Sequence, residues 1–263
     1  MALYLDPVAK LLKLGEIDVF AKWRNYAELG IGPEHIPELI RMATDADLNF
    51  FASTERGAWA PAHAWRTLGQ LRAEAASAPL VALLAKLEED DWIWEELPDI
   101  MSMLGPAAIP HLAAFLTDST HDLNARIAAS RSLQRNGNEY ETSRAACVQA
   151  LAAQLEKAAK TDPELNGFIV ADLLDLNAVE TAPLIERAFA VGRVDESICG
   201  DWEIVQIDLG LKEVPEYNDA VDDAIETPAP LHPQPTSKKG KLKLKKKKKM
   251  TKASRRKNEK KKK

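Results

Sequence analysis

The sequence predicts an all-α fold, a right-handed α-solenoid of about five stacked helical hairpins followed by a disordered basic tail. Three observations carry this expectation. Apolar residues recur at helical spacing, one kind of helix start returns at intervals of about one hairpin, and opposite charges are segregated along the chain.

The spacing comes first. Val148, Leu151, Ala152 and Leu155 fall at i, i+3, i+4 and i+7, and Ile93, Leu97, Ile100, Met101 and Leu104 follow the same rule, so each set lies on one helix face. No stretch alternates convincingly with the period of two that a half-buried strand needs. Glycine follows an apolar run at Leu14-Gly15, Leu29-Gly30, Leu104-Gly105 and Val191-Gly192, where a left-handed C-cap is expected. Asp6-Pro7 offers an N-cap before proline at the first helical position, where the missing N–H costs nothing.

The repeat comes next. Ile36-Pro37-Glu38-Leu39 returns as Ala78-Pro79-Leu80-Val81, Ile109-Pro110-His111-Leu112 and Ala182-Pro183-Leu184-Ile185, with the prolines 42, 31 and 73 residues apart. The longest interval fits two units, with Ser143-Arg144-Ala145-Ala146-Cys147-Val148 as the copy that lacks proline. Breaks at Leu68-Gly69, Leu104-Gly105 and Leu176-Asn177 precede three of these starts and divide each unit into two helices. One such hairpin cannot bury its apolar face, whereas a row of them shares a continuous core.

The run from Ala62-His63-Ala64-Trp65-Arg66-Thr67-Leu68-Gly69 through Ala78-Pro79-Leu80-Val81-Ala82-Leu83-Leu84 resembles the short HEAT-like repeat best known from bilin-lyase-type proteins. The resemblance covers residues 4–211. Val194–Glu203 departs from it and reads as a terminal cap. Such repeats serve scaffolds, adaptors, bilin lyases and a few DNA-repair enzymes, so the resemblance implies architecture more than activity. Its first implication is a non-enzymatic interaction protein that docks a protein partner on the solenoid face. The alternative is an enzyme resembling the HEAT-like bilin lyases and acting on a phycobiliprotein, with Cys199, Asp201 and Glu203 as first candidates. A DNA-repair glycosylase would line its groove with basic residues, which the acidic body opposes.

Charge divides the chain further. Residues 1–211 form the repeat domain, 212–237 an acidic and then proline-rich linker, and 238–263 a lysine-rich tail. The tail carries fifteen Lys and two Arg against one Glu, a charge of +16, which leaves −21 on residues 1–237. Residues 213–226 are acidic without a strong apolar stripe, and Thr227–Pro235 is an extended spacer. The tail lacks the apolar surface to offset its ordering entropy and self-repulsion, so disorder is expected. Lys245, Lys246, Lys247, Lys248, Lys249, Arg255, Arg256 and Lys257 are the candidate polyanion-binding residues. Lysines meeting phosphates release condensed counterions, which makes nucleic acid the natural partner. With no aromatic side chain to stack on bases, that binding is expected to ignore sequence. An anionic membrane, an acidic protein, a nuclear address and a solubility role are the rival readings of the same charge.

The remaining candidates are few. The chain carries no nucleophile elbow, no His-Glu-x-x-His pair and no phosphate loop. Gly30-Ile31-Gly32-Pro33 lacks the third glycine of a dinucleotide fingerprint and reads as a helix stop and turn. His35, His63, His111, His121 and His232 are scattered, and His63 beside Trp65 reads as a packed or capping residue. No metal or cofactor is expected. Cys147 reads as core, and two cysteines supply neither a disulfide framework nor a zinc set, which suits a reducing cytoplasm. Trp92 and Trp94, inside Glu88–Glu96, and the loop pair Asp201 and Trp202 are the candidate partner-binding residues. Acids flanking indoles suit a lysine- or arginine-bearing peptide. No apolar run reaches the length of a membrane span, no signal sequence opens the chain, and a monomer is expected. Because the apolar periodicity ends near Leu211, a chain cut there should keep a helical circular-dichroism spectrum and melt within a few degrees of the full-length protein.

Overall fold

The computed structural model describes residues 3–18, 22–48, 56–86 and 91–213. It divides the chain into Met1–Leu209 and Gly210–Lys263, and of the second unit only Gly210–Glu213 are among the described residues. No strand occurs among the described residues, and helices are the only regular elements described in the first unit.

Its α-helices are α1 (Ile36–Ala43), α2 (Ala60–Gln70), α3 (Ser77–Leu83), α4 (Asp91–Met103), α5 (Ile109–Thr117), α6 (Leu123–Glu139), α7 (Arg144–Leu155), α8 (Pro163–Asp175), α9 (Ala182–Ala190), α10 (Glu196–Cys199) and α11 (Trp202–Asp208). Helices α2, α4, α6, α8 and α10 pack each on the next, and α3, α5, α7, α9 and α11 do the same. The two series meet where α3 packs on α4, α5 and α7 on α6, and α7 on α8. The buried apolar side chains join into one cluster from Tyr4 to Leu209.

Local chemistry explains the punctuation. Helices α1, α3, α5, α7 and α9 each continue from a single 3₁₀ turn, at Pro33–His35, Glu74–Ala76, Pro106–Ala108, Glu141–Ser143 and Val179–Thr181. Pro37, Pro110 and Pro183 stand in the first turn of α1, α5 and α9, where no backbone donor is lost. Asp122, Asp162 and Asp195 cap α6, α8 and α10, accepting from the N–H of Asn124, Glu164 and Ser197 at 2.8, 2.8 and 2.9 Å. Gly15, Gly30, Gly105 and Gly192, placed by sequence at helix stops, all adopt positive φ.

Three local expectations are corrected. Helix α2 does not stop at Leu68-Gly69 but runs to Gln70, and the left-handed residue is Arg72 at φ 51°. Gly69 serves packing instead, since a Cβ there would stand 3.2 Å from Met103 Sδ of α4. Asp6 makes no side-chain cap, and Val8–Lys13 is a 3₁₀ segment in place of an α-helix. Ahead of α2, α1 is therefore joined by an irregular arm in place of a second α-helix. That arm buries Val8, Leu11, Ile17, Tyr26 and Ile31, and every residue of α2 from Ala60 to Gly69 is buried.

No single helix among the described residues is long and apolar enough to cross a membrane.

Close approach sets the joint between α8 and α10. A Cβ on Gly167 would lie 2.8 Å from the Asp195 carbonyl oxygen and 3.1 Å from Ile198 Cδ1. Gly→Ala inside an unobstructed helix stabilises by about 0.5–1 kcal/mol. Here the backbone obstacle reverses the sign, and Gly167→Ala should destabilise by about 1–3 kcal/mol, read as a lower urea midpoint at unchanged slope.

Candidate functional site

The most polar part of the interior lies where the arm meets α2. His63 Nε2 is 3.0 Å from the Gly15 carbonyl, and His63 Nδ1 is 2.7 Å from the Tyr26 hydroxyl. A carbonyl only accepts, so Nε2 carries the proton and Nδ1 accepts from Tyr26. Burial pushes the His63 imidazole down to about 4, the Gly15 bond opposing it, and pushes the Tyr26 phenol up to about 12. One turn on, Arg66 is paired with Glu96 of α4 in a buried ion pair, and its guanidinium lies 4.7 Å from the centre of the Trp23 ring. Trp65 Nε1 donates to the Ala43 carbonyl at 2.9 Å. These side chains fasten the arm, α1, α2 and α4 together, and His63 is the packed histidine its position beside Trp65 suggests.

The same tying function recurs along the chain. Asn136 Nδ2 donates to the Gly105 carbonyl at 2.8 Å, and Asn166 Nδ2 to those of Ala158 and Arg193 at 3.1 and 2.7 Å. Arg126 closes the end of α5 through the Leu116 carbonyl at 2.9 Å, and Ser130 of α6 reaches Asp172 of α8 at 2.6 Å.

Most of the residues singled out by sequence lie outside the described ones. Lys245, Lys246, Lys247, Lys248, Lys249, Arg255, Arg256 and Lys257 lie outside the described residues, as do Glu88–Asp90. Trp92 and Trp94 stand in the first turn of α4, and their side chains are likewise outside the description. Asp201 accepts from the N–H of Ile204 at 2.9 Å and caps α11. Trp202 is half-buried with its ring centre 5.9 Å from that of Phe189. Cys199 is 1% exposed, and its Sγ lies 3.4 Å from the Gly200 carbonyl. Cys147 is buried, and burial pushes its thiol up to about 11. Neither cysteine presents an accessible thiolate. Among the described residues, no group of three or more His, Cys, Asp and Glu side chains is arranged to hold a metal ion.

A feature not selected by sequence is a shallow groove of about 370 Å³ between α3 and α5. Ala78, Val81, Ala82 and Ala85 form one wall, and His111, Ala114, Phe115 and Asp118 the other, each at i, i+3, i+4 and i+7. His121 closes one end, stacked flat on Phe115 with ring centres 3.8 Å apart and planes 7° apart. Its Nε2 lies 3.7 Å from Asp118 Oδ2. Asp118 Oδ1 accepts from the hydroxyl and the N–H of Thr120 at 2.7 and 2.9 Å. The Thr120 hydroxyl above all holds the Asp118 carboxyl below its ordinary value. The spacing within each segment was open to inspection, but their juxtaposition depends on the packing of α3 on α5.

No protein-family model matches the chain, and neither does any curated protein or any solved structure.

The His63 site fixes a pH dependence. The folded imidazole binds its proton less readily than the unfolded one, so stability is complete above about pH 6.5 and falls as pH drops towards 4. The loss across that window is about 3 kcal/mol. His63→Gln should be less stable at pH 7.5 yet lose less stability between pH 7 and 4.5 than the natural chain, in urea unfolding at each pH.

Proposed function

We propose that this chain is a non-enzymatic interaction protein. In this reading its first unit is a right-handed α-solenoid of about five HEAT-like hairpins that docks a protein partner. Its lysine-rich tail holds the pair on nucleic acid without reading sequence. The carrying observation is the segregation of charge, −21 on residues 1–237 against +16 on residues 238–263. A body of that sign repels phosphate, whereas seventeen cations in one short segment attract it. The solenoid reading is supported by the order of packing, in which each helix from α2 to α9 meets its next-but-one neighbour along the chain.

The side chains an enzymatic alternative would call on have structural partners, since Asp201 caps α11 and Cys199 is buried. The polar groups of the interior likewise serve to close helix ends and join units. A helical unit joined in sequence to a segment of opposite charge fits adaptor work.

The test is fluorescence anisotropy across a salt series for the full-length chain, residues 1–237 and a peptide of residues 238–263. Full-length protein should bind unrelated DNA and RNA fragments with similar affinity. On duplex DNA the log–log salt slope should be about −0.9 per phosphate contacted. Residues 1–237 should lose this binding. Equal binding by residues 1–237 and the full chain overturns the assignment to the tail, and no binding at low salt overturns the nucleic-acid partner.

A further inference from the structure

We propose that the groove between α3 and α5 receives a lysine- or arginine-bearing peptide of a partner protein, its cationic side chain crossing the Phe115–His121 stack to end on Asp118. The inference rests on the reading of the first unit as a protein-docking body and names the class of partner.

The walls suit such a side chain. Ala78, Ala82 and Ala114 are exposed and short, so a peptide backbone can come close to both helices. Val81 and Phe115, 4% and 7% exposed, form an apolar floor. Long cationic side chains pack their methylene stems on such surfaces while the charged head stays near water. His121 covers the Phe115 face, so the ring beside that path is the half-buried imidazole, on which a planar guanidinium can stack.

The end of the groove supplies the charge. Asp118 Oδ1 is taken up by Thr120, which fixes the carboxylate's orientation, and Oδ2 is turned to the His121 edge. The Thr120 bonds favour the ionised carboxylate. No Lys or Arg lines the groove, and Arg126, whose charge also acts on Asp118, donates its Nε–H to the Leu116 carbonyl. Over longer range, the −21 on residues 1–237 attracts a basic partner and repels an acidic one. An apolar helix would use the floor but leave Asp118 unmatched, and an acidic peptide would meet repulsion at both ranges.

Five histidines make the test tractable on the full chain, because imidazole C–H signals can be followed by NMR and the groove contributes His111 and His121. The probes are N-acetyl-arginine methylamide, N-acetyl-lysine methylamide and neutral N-acetyl-norleucine methylamide at pH 8. The two cationic probes should shift the His111 and His121 signals saturably, with the signals assigned by His111→Gln and His121→Gln. The norleucine probe should bind roughly threefold to fivefold more weakly, the range a surface charge contact provides. Asp118→Asn keeps the oxygen that accepts from Thr120, so it should weaken the cationic probes by a similar factor and leave norleucine unchanged. Ala82→Phe should fill the groove and abolish all three responses. An unchanged His63 signal in each variant shows that the fold is intact.

Equal affinity for norleucine overturns the cationic assignment, as does full cationic binding in Asp118→Asn. Absence of a saturable response at His111 and His121 overturns the site itself. Affinity capture by the full chain separates these failures from failure of the docking reading. A protein partner retained by both Asp118→Asn and Ala82→Phe leaves docking standing and removes this groove from it.

Discussion

The carbonyls left at each helix end are the constraint on which the first unit depends. A helix leaves its last turn of carbonyls without intrahelical partners, and a chain divided into many short helices creates many of them in an apolar setting. Here neighbouring units supply the donors. The Trp65 indole meets Ala43, the Asn136 amide meets Gly105, and Arg126 meets Leu116. Arg144 reaches Leu176 and Asn177 at 2.9 Å each while its guanidinium also pairs with Glu180. Asn166 and Arg193 close the joint between the 158–161 turn and the segment after α9. Each bond satisfies a helix end and fastens one element to another, so helix termination and stacking are a single problem with a single solution.

This coupling explains what could be read from the sequence and what could not. Helix starts are local events, set by proline and by an aspartate cap, and the starts marked at Pro37, Pro79, Pro110 and Pro183 coincide with helices. The copy without proline at Ser143 does so as well, because the 3₁₀ entry needs only a free backbone turn. Glycine was less legible, since the same residue answers two different demands. Gly105 supplies a left-handed turn, whereas Gly69, Gly137 and Gly167 sit inside helices where another element comes too near for a side chain. A Cβ on Gly137 would stand 2.8 Å from Leu176 Cδ2. Asn136-Gly137 and Asn166-Gly167 have the composition of tight turns. They are helical because the asparagine must reach a carbonyl and the glycine must admit a neighbour. Only the tertiary arrangement separates the two uses.

The candidate sites divide along the same line. Charge is a property of composition, so the acidic body and basic tail were visible without a fold. Asp201 and Trp202 looked available because a cap bond and a ring contact leave no mark in a local pattern. The α3–α5 groove joins residues about thirty apart, and nothing local to Ala78 or to His111 announces the other wall. His121 illustrates the difficulty, since a scattered histidine acquires meaning only when the 118–122 turn lays it over Phe115.

The proposed function would combine two modes of recognition with different physical signatures. A run of lysines gains affinity from counterion release, which accumulates with every phosphate met and collapses as salt rises. It needs no fixed geometry, only density of charge, and residues 238–263 carry seventeen cations. A groove with one carboxylate, an aromatic stack and an alanine wall depends on shape, and its single charge contributes modestly and is only partly screened. Its selectivity therefore resides in the fixed separation of α3 and α5, which the helix-end bonds on either side maintain. Rising ionic strength would release the polyanion before the groove's peptide. In that reading the acidic charge of residues 1–237 would strengthen the division, because its field favours basic protein surfaces over phosphate.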